Sequence, residues 1–347
     1  MSQTTRPKSG FASGTVSISA VAKRAGVSIS TVSRVVNGVK NKVSAENAER
    51  VQKAIRELGY RPSRAGQALR KRSSKLVAVI AANLSNPAMS AVAASAEMAL
   101  REAGYVMVLC DSHDRADLQD EYLLEMKAQL VSAFVLLGAV SSPVLDEFVE
   151  AGETVIFVNR RNPSDRPAPF IGIDNDGAAR QISDLLQSWH CKKALVIHGQ
   201  TESSAVKERL ASFRKAFVNH WEGSEVIVRG SDSPDHLNIG YNEMNRWLEG
   251  EAKLPDAVFC LSDLIAFGAG RALREKGYDL ETDCRLIGFD DNPLNDWVAP
   301  WLSSMRVPYE EFGIAIVDML KPQQDEEPRT ETLLGHDLVV RPRAGIA

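Results

Sequence analysis

The chain has 347 residues, 44% apolar and 25% charged, too long for one small module and apolar enough to bury two or three domain cores. Its net charge of −4 conceals a split: residues 1–72 carry 15 Lys and Arg against 3 Asp and Glu, so a +12 segment is joined to a −16 remainder. No apolar run reaches membrane-spanning length, the N-terminus lacks the apolar core of a signal peptide, and four scattered cysteines form no CxxC pair. The expectation is a cytoplasmic protein with reduced thiols and no zinc site.

Residues 1–16, rich in Ser, Thr, Gly and basic side chains, read as a disordered arm. Ser17 then caps a short helix with Val21, Ala22 and Ala25 on its inner side, and Gly26 supplies a tight turn. Ser28 caps a second helix, SISTVSRVVN. Its Val32, Val35 and Val36 share one face, while Ile29, Ser30, Ser33, Arg34 and Asn37 point away. Such an outer face suits a major groove: arginine bonds a guanine edge bidentately, an apolar side chain meets a thymine methyl, and Ser, Thr and Asn reach phosphates. A merely solvated amphipathic pair is the alternative, and the +12 charge of the segment weighs against it. Ser44 caps a third helix with an Ala48, Val51, Ile55 and Leu58 stripe that ends at Gly59. The headpiece at 17–61 is thus all-α, three helices around a helix-turn-helix. Beyond it, 62–75 forms a hinge whose basic, Gly-containing SRAGQAL segment is marginal alone and is expected to fold on an anionic partner.

From Leu76 the pattern changes. LVAVIAA, YVMVLC, AFVLLG, TVIFVN, KALVIH, EVIVRG, DAVFCLS and RLIGFDD are short continuous apolar runs, most followed by a segment of helical length. Buried parallel strands alternating with helices make an α/β body of doubly wound sheets, and its size calls for two lobes. Polar residues just after the strands become ligand candidates. PQQDEEPRTE, at 322–331, reads as an exposed loop.

In AVAKRAGVSISTVSRVVNG, ELGYRPSRAGQALR, IGFDDNP and LSSMRVPYEEFG the chain resembles the LacI family of bacterial transcription regulators, and the resemblance covers nearly its whole length after the arm. The resemblance implies a homodimer on pseudo-palindromic double-stranded operator DNA, with a periplasmic-binding-protein-like body that senses a small metabolite, a sugar or sugar acid most often. It implies lobe one at about 76–173 plus 304–323 and lobe two at about 174–303 plus 324–341. Ile29, Ser30 and Arg34 match the base-reading positions, and Ser28, Thr31, Ser33 and Asn37 the phosphate contacts. Leu69 matches a minor-groove wedge, flanked by Arg64 and Arg70. Asn86, Asn159, Arg160, Arg209, Asp263 and Asp290 match the effector cleft, where an arginine among amides and carboxylates clamps vicinal hydroxyls or a carboxylate. The structural alternatives are that Asp263 or Asp290 caps the following turn or helix, that Asn86 starts its NP turn, and that Arg209 is an exposed helix arginine. Ala88 and Met89 stand where the family usually has aromatics, Ser262 where Asn is common, and Ala20 where an acidic residue usually completes a capping box.

An enzyme needs a catalytic constellation, and the chain has no GxSxG, HExxH, P-loop or GxGxxG motif in a βαβ context, nor any implied cofactor. Gly268 and Gly270 fall within a helix. His113 with Asp111 and Asp114 are candidate metal ligands, but such a loop more often forms a solvated turn or touches an effector. A sugar-binding module for transport or a sugar-metabolising enzyme remain the other classes.

Overall fold

The computed structural model describes residues 16–39, 42–60, 74–164, 166–220, 222–251, 253–321 and 330–341. Most of the arm, the hinge with Arg64, Leu69 and Arg70, and the 322–329 stretch lie outside the described residues. The chain divides at Ser74 into two compact units.

The first unit holds α1 (Ile18–Ala25), α2 (Ile29–Val36) and α3 (Ala45–Leu58). Each begins on a serine whose Oγ accepts a backbone N–H three residues on, Ser17 from Ala20, Ser28 from Thr31 and Ser44 from Asn47. The α1 cap therefore forms without an acidic partner at position 20. Gly26 has φ +67°, a left-handed conformation that favours glycine at the turn. Val21, Ala22, Ala25, Val32, Val51 and Ala54 form the core, with Val35, Val36, Ile55 and Leu58 half-buried against it.

Lobe one of the second unit runs β1 (Leu76–Ala81), α4 (Pro87–Glu102), β2 (Val106–Asp111), α5 (Ala116–Ala128), β3 (Ala133–Leu137), α6 (Pro143–Glu150), β4 (Val155–Val158) and β5 (Phe170–Ile173). Lobe two continues with α7 (Asn175–Ser188), β6 (Lys193–His198), α8 (Ser204–Val218), β7 (Glu225–Gly230), α9 (His236–Gly250), β8 (Ala257–Cys260), α10 (Asp263–Glu275), β9 (Arg285–Asp290), α11 (Asn295–Val298) and β10 (Ser303–Arg306). The chain then returns through α12 (Phe312–Leu320) and β11 (Glu331–Leu334) before ending on β12 (Asp337–Val339). The sheet orders are β11-β5-β4-β3-β1-β2 and β12-β10-β9-β8-β6-β7, parallel throughout except for the β10–β12 pair. Helices cover both faces of each sheet, which is why the central strands read as unbroken apolar runs.

The lobe boundaries differ from expectation after residue 303. Ser303–Arg306 pairs with β9 in the lobe-two sheet, and Glu331–Leu334 pairs with β5 in the lobe-one sheet, so the assignments of 304–306 and 331–334 are exchanged. β10 is buried yet polar because its hydroxyls are satisfied internally: Ser304 Oγ donates to Asp263 and Ser303 Oγ accepts from the Arg341 N–H. Gly268 serves packing between α9 and α10, since a Cβ there would fall 2.0 Å from the Leu237 carbonyl oxygen.

Candidate functional site

In the first unit α2 turns Val32 into the core and leaves Ile29 49% exposed, with Ser30, Arg34 and Asn37 exposed beside it. Ser28 Oγ lies 2.8 Å from Ser30 Oγ and 2.9 Å from Thr31 Oγ1, and Asn37 Nδ2 donates to Ser33 Oγ at 3.2 Å. The hydroxyls at the N-terminal end are thus grouped where a helix terminus favours an anion. Arg34 sits one turn further along the same outer surface.

In the second unit a cleft of about 410 Å³ opens between the lobes, lined by Asn86, Met89, Asp114 and Arg160 from lobe one and by His236 and Leu237 from lobe two. A smaller pocket that shares Asn86, Arg160 and His236 with it is also lined by Asn159, Arg209, Ser262, Asp290 and Tyr309. Asn86 caps α4, its Oδ1 accepting from Ala88 N at 3.0 Å, and also lines the cleft. Arg160 Nη1 donates to Asp114 Oδ1 at 2.7 Å and to the Gly138 carbonyl at 3.3 Å, which fixes the guanidinium against the strand ends. Asp111 receives the N–H groups of Leu84 and His113, so its carboxylate shapes the turn that presents Asp114.

Arg209 is 6% exposed, not an exposed helix arginine. Nε donates to Asn175 Oδ1 at 2.8 Å, Nη1 donates to the Leu261 carbonyl at 3.3 Å, and the guanidinium lies 3.5 Å from the Phe289 ring centroid. Asp290 ends β9 with φ +116°, a conformation that costs a non-glycine residue and that recurs at functional sites. Burial first and the neighbouring Asp263 second push its carboxyl up to about 7, against the pull of Arg209 and of the Tyr309 hydroxyl.

Asp263 faces elsewhere. It is 1% exposed and accepts from Ser304 Oγ, Asn292 N and Asn295 Nδ2 at 2.6, 2.7 and 2.8 Å, a buried set that ties β9, β10 and α11 together. Of the six expected effector residues, Asn86, Asn159, Arg160, Arg209 and Asp290 line the two pockets, and Asp263 does not. Its neighbour Ser262 does. His236 and Tyr309 escaped the sequence reading. His236 follows the α9 cap Asp235, and its Nδ1 lies 2.9 Å from Ser262 Oγ, while burial, then Arg160, holds its pKa below the usual histidine range. Among the described residues no group of His, Cys, Asp and Glu is disposed to hold a metal ion.

Residues 17–63 match the profile of bacterial regulatory proteins of the lacI family, and residues 170–342 match a periplasmic binding protein-like domain. The chain belongs to the LacI family. LacI-family relatives align along most of it. The ribose operon repressor of Halalkalibacterium halodurans is 27% identical over 308 residues, 89% of this chain and 90% of that protein. Catabolite control protein A of Staphylococcus xylosus is 26% identical over 332 residues, 94% and 98%. Among solved LacI-family structures, the Lac repressor dimer bound to operator and the anti-inducer ONPF superimposes with a TM-score of 0.79 at 25% identity, covering 94% of this chain and 98% of that one. The transcriptional regulator CelR in complex with cellobiose gives 0.66 at 27%, covering 94% and 99%. These relatives carry the names of regulators, not enzymes. No helix among the described residues is long and apolar enough to cross a membrane.

Proposed function

We propose that this LacI-family chain is a sequence-specific DNA-binding transcription regulator, a repressor, whose operator affinity is set by a sugar or sugar acid bound between the two lobes. One observation carries the reading: a single chain joins a helix with an outward Ile29, Ser30 and Arg34 face to a polar cleft backed by a buried arginine and a strained aspartate. A homodimer on a pseudo-palindromic site fits, because two copies of one headpiece read two half-sites. Ile29, Ser30 and Arg34 choose bases; Ser28, Thr31, Ser33 and Asn37 hold phosphates; Arg64, Leu69 and Arg70 of the hinge fold against the minor groove. In the cleft Arg160 and Arg209 present planar donors, and Asp290, Asn159 and Asn86 present acceptors, to vicinal hydroxyls or a carboxylate.

The regulator names of the relatives reported above support a binding role. Thermal-shift screening of the full chain against neutral sugars and sugar acids, followed by gel shifts on duplexes selected from a random pool, tests this reading. A compound that raises the melting temperature and also changes affinity for the selected duplex is expected. Duplex selection that enriches no sequence, or turnover of a bound sugar, would overturn it.

A further inference from the structure

Arg209 is one end of a line of side chains. Its Nε donates to Asn175 Oδ1, and the same amide donates through Nδ2 to Glu208 Oε2, each at 2.8 Å. Glu208 Oε1 accepts from Arg161 Nε at 2.9 Å, and Arg161 Nη2 donates to Glu331 Oε1 at 2.7 Å. The line crosses between lobes. Asn175, Glu208 and Arg209 belong to α7 and α8 of lobe two, whereas Arg161 follows β4 and Glu331 opens β11, both in lobe one. Arg161 grips lobe two a second time through its backbone N–H, which donates to Ser204 Oγ at 2.8 Å.

The chemistry of each link makes the line directional. Asn175 is 3% exposed, and its amide satisfies a guanidinium with its oxygen and a carboxylate with its nitrogen, so a flip would set donor against donor and acceptor against acceptor. No carboxylate lies within ion-pair distance of Arg209 among the described residues. Its place therefore falls to the Asn175 amide, the Leu261 carbonyl and the Phe289 ring. Glu208 shares its two oxygens between Asn175 and Arg161, so a change at either partner is felt by the other.

We propose that Asn175, Glu208 and Arg161 are positioning residues of the cleft, setting where the Arg209 guanidinium sits and making that setting depend on contact between the lobes. The proposal rests on the reading of the cleft as the effector site. A ligand that draws on Arg209 then alters the Arg161 contact without touching it, and a change in lobe spacing moves the cation that the ligand must meet.

The test needs no effector. All five tryptophans, at 189, 221, 247, 297 and 301, lie in the body, so urea unfolding of the full chain followed by tryptophan fluorescence reports on the body alone. The Arg161 guanidinium lies 4.2 Å from the Phe170 ring centroid as that of Arg209 lies over Phe289, so wild type, Arg161→Met, Arg209→Met and the double variant form a cycle in which methionine keeps apolar length over both rings. Loss of one arginine should strip the other of part of its contribution. The double variant should then lose clearly less in urea midpoint than the two single variants together, and an Asn175→Ala background should abolish this shortfall. Additive shifts, a double loss larger than the sum as bare repulsion between two cations gives, or a shortfall that survives Asn175→Ala would each overturn the proposal. If a methionine variant fails to fold, Arg161→Lys and Arg209→Lys complete the cycle with the same readings. Coupling found while no sugar or sugar acid binds overturns the effector reading and leaves the line of residues standing; additive shifts alongside a bound sugar do the reverse.

Discussion

The Tyr309 hydroxyl donates a 2.6 Å hydrogen bond to Asp290 Oδ1, joining the segment that re-enters lobe one to the last residue of β9 in lobe two. The carboxyl that receives it is buried, raised to about 7, and faces the same small pocket as Arg209.

This has a pH signature. An unfolded aspartate titrates near 4, so between about pH 4 and 7 the folded state holds a proton that the unfolded state has released. The contribution of Asp290 is therefore fully present below pH 4 and is lost as pH rises through 7, and Asp263, raised to about 6, acts in the same direction. Urea midpoints of the wild-type body should fall between pH 5 and 7.5, by on the order of 2 kcal/mol in stability, and Asp290→Asn should flatten that decline. An unchanged slope in the variant would contradict the assignment.

Arg209→Lys keeps a positive charge but loses the planar fork that can meet two oxygens at once. Calorimetry with a compound that binds wild type should show affinity reduced by at least about tenfold, worth about 1.4 kcal/mol. Asp263→Asn, in a residue turned away from the pockets, should lower stability more than it lowers that affinity.

Arg34→Ala should cost about 1–3 kcal/mol of specific DNA binding and relax the preference at one base position. Ser28→Ala should cost about 1 kcal/mol of headpiece stability through the lost cap. Gel shifts with a series of duplex variants separate the two, since only the first changes the ranking of sequences.

Gly268→Ala would drive a Cβ against the Leu237 carbonyl. Destabilisation of about 1–3 kcal/mol, or failure of the body to fold, is the expected result in tryptophan-monitored unfolding. A neutral outcome would mean that α9 and α10 separate more easily than their close approach implies.

The headpiece was legible because its signals are local: serine caps three residues from their N–H partners, a glycine at the turn, and valines at helical spacing. The central strands were legible because burial on both faces leaves apolar runs. β10 was missed because SSMR hides two hydroxyls by bonding them to Asp263 and Arg341, and hydropathy cannot register a satisfied polar core. The inward turn of Asp263 is hidden from sequence for the same reason: its partners at 292, 295 and 304 lie 29 to 41 residues away. His236 and Tyr309 gain their places from Ser262 and Asp290, residues remote in sequence, so spacing carried no sign of them.

β11 and β12 are only two residues apart, yet one completes the lobe-one sheet and the other the lobe-two sheet. A stop codon just before Glu331 would strip an edge strand from both halves at once. Neither half is encoded by a contiguous stretch of the gene, so splitting the body into two separately expressed fragments at any single codon leaves at least one of them without part of its own sheet.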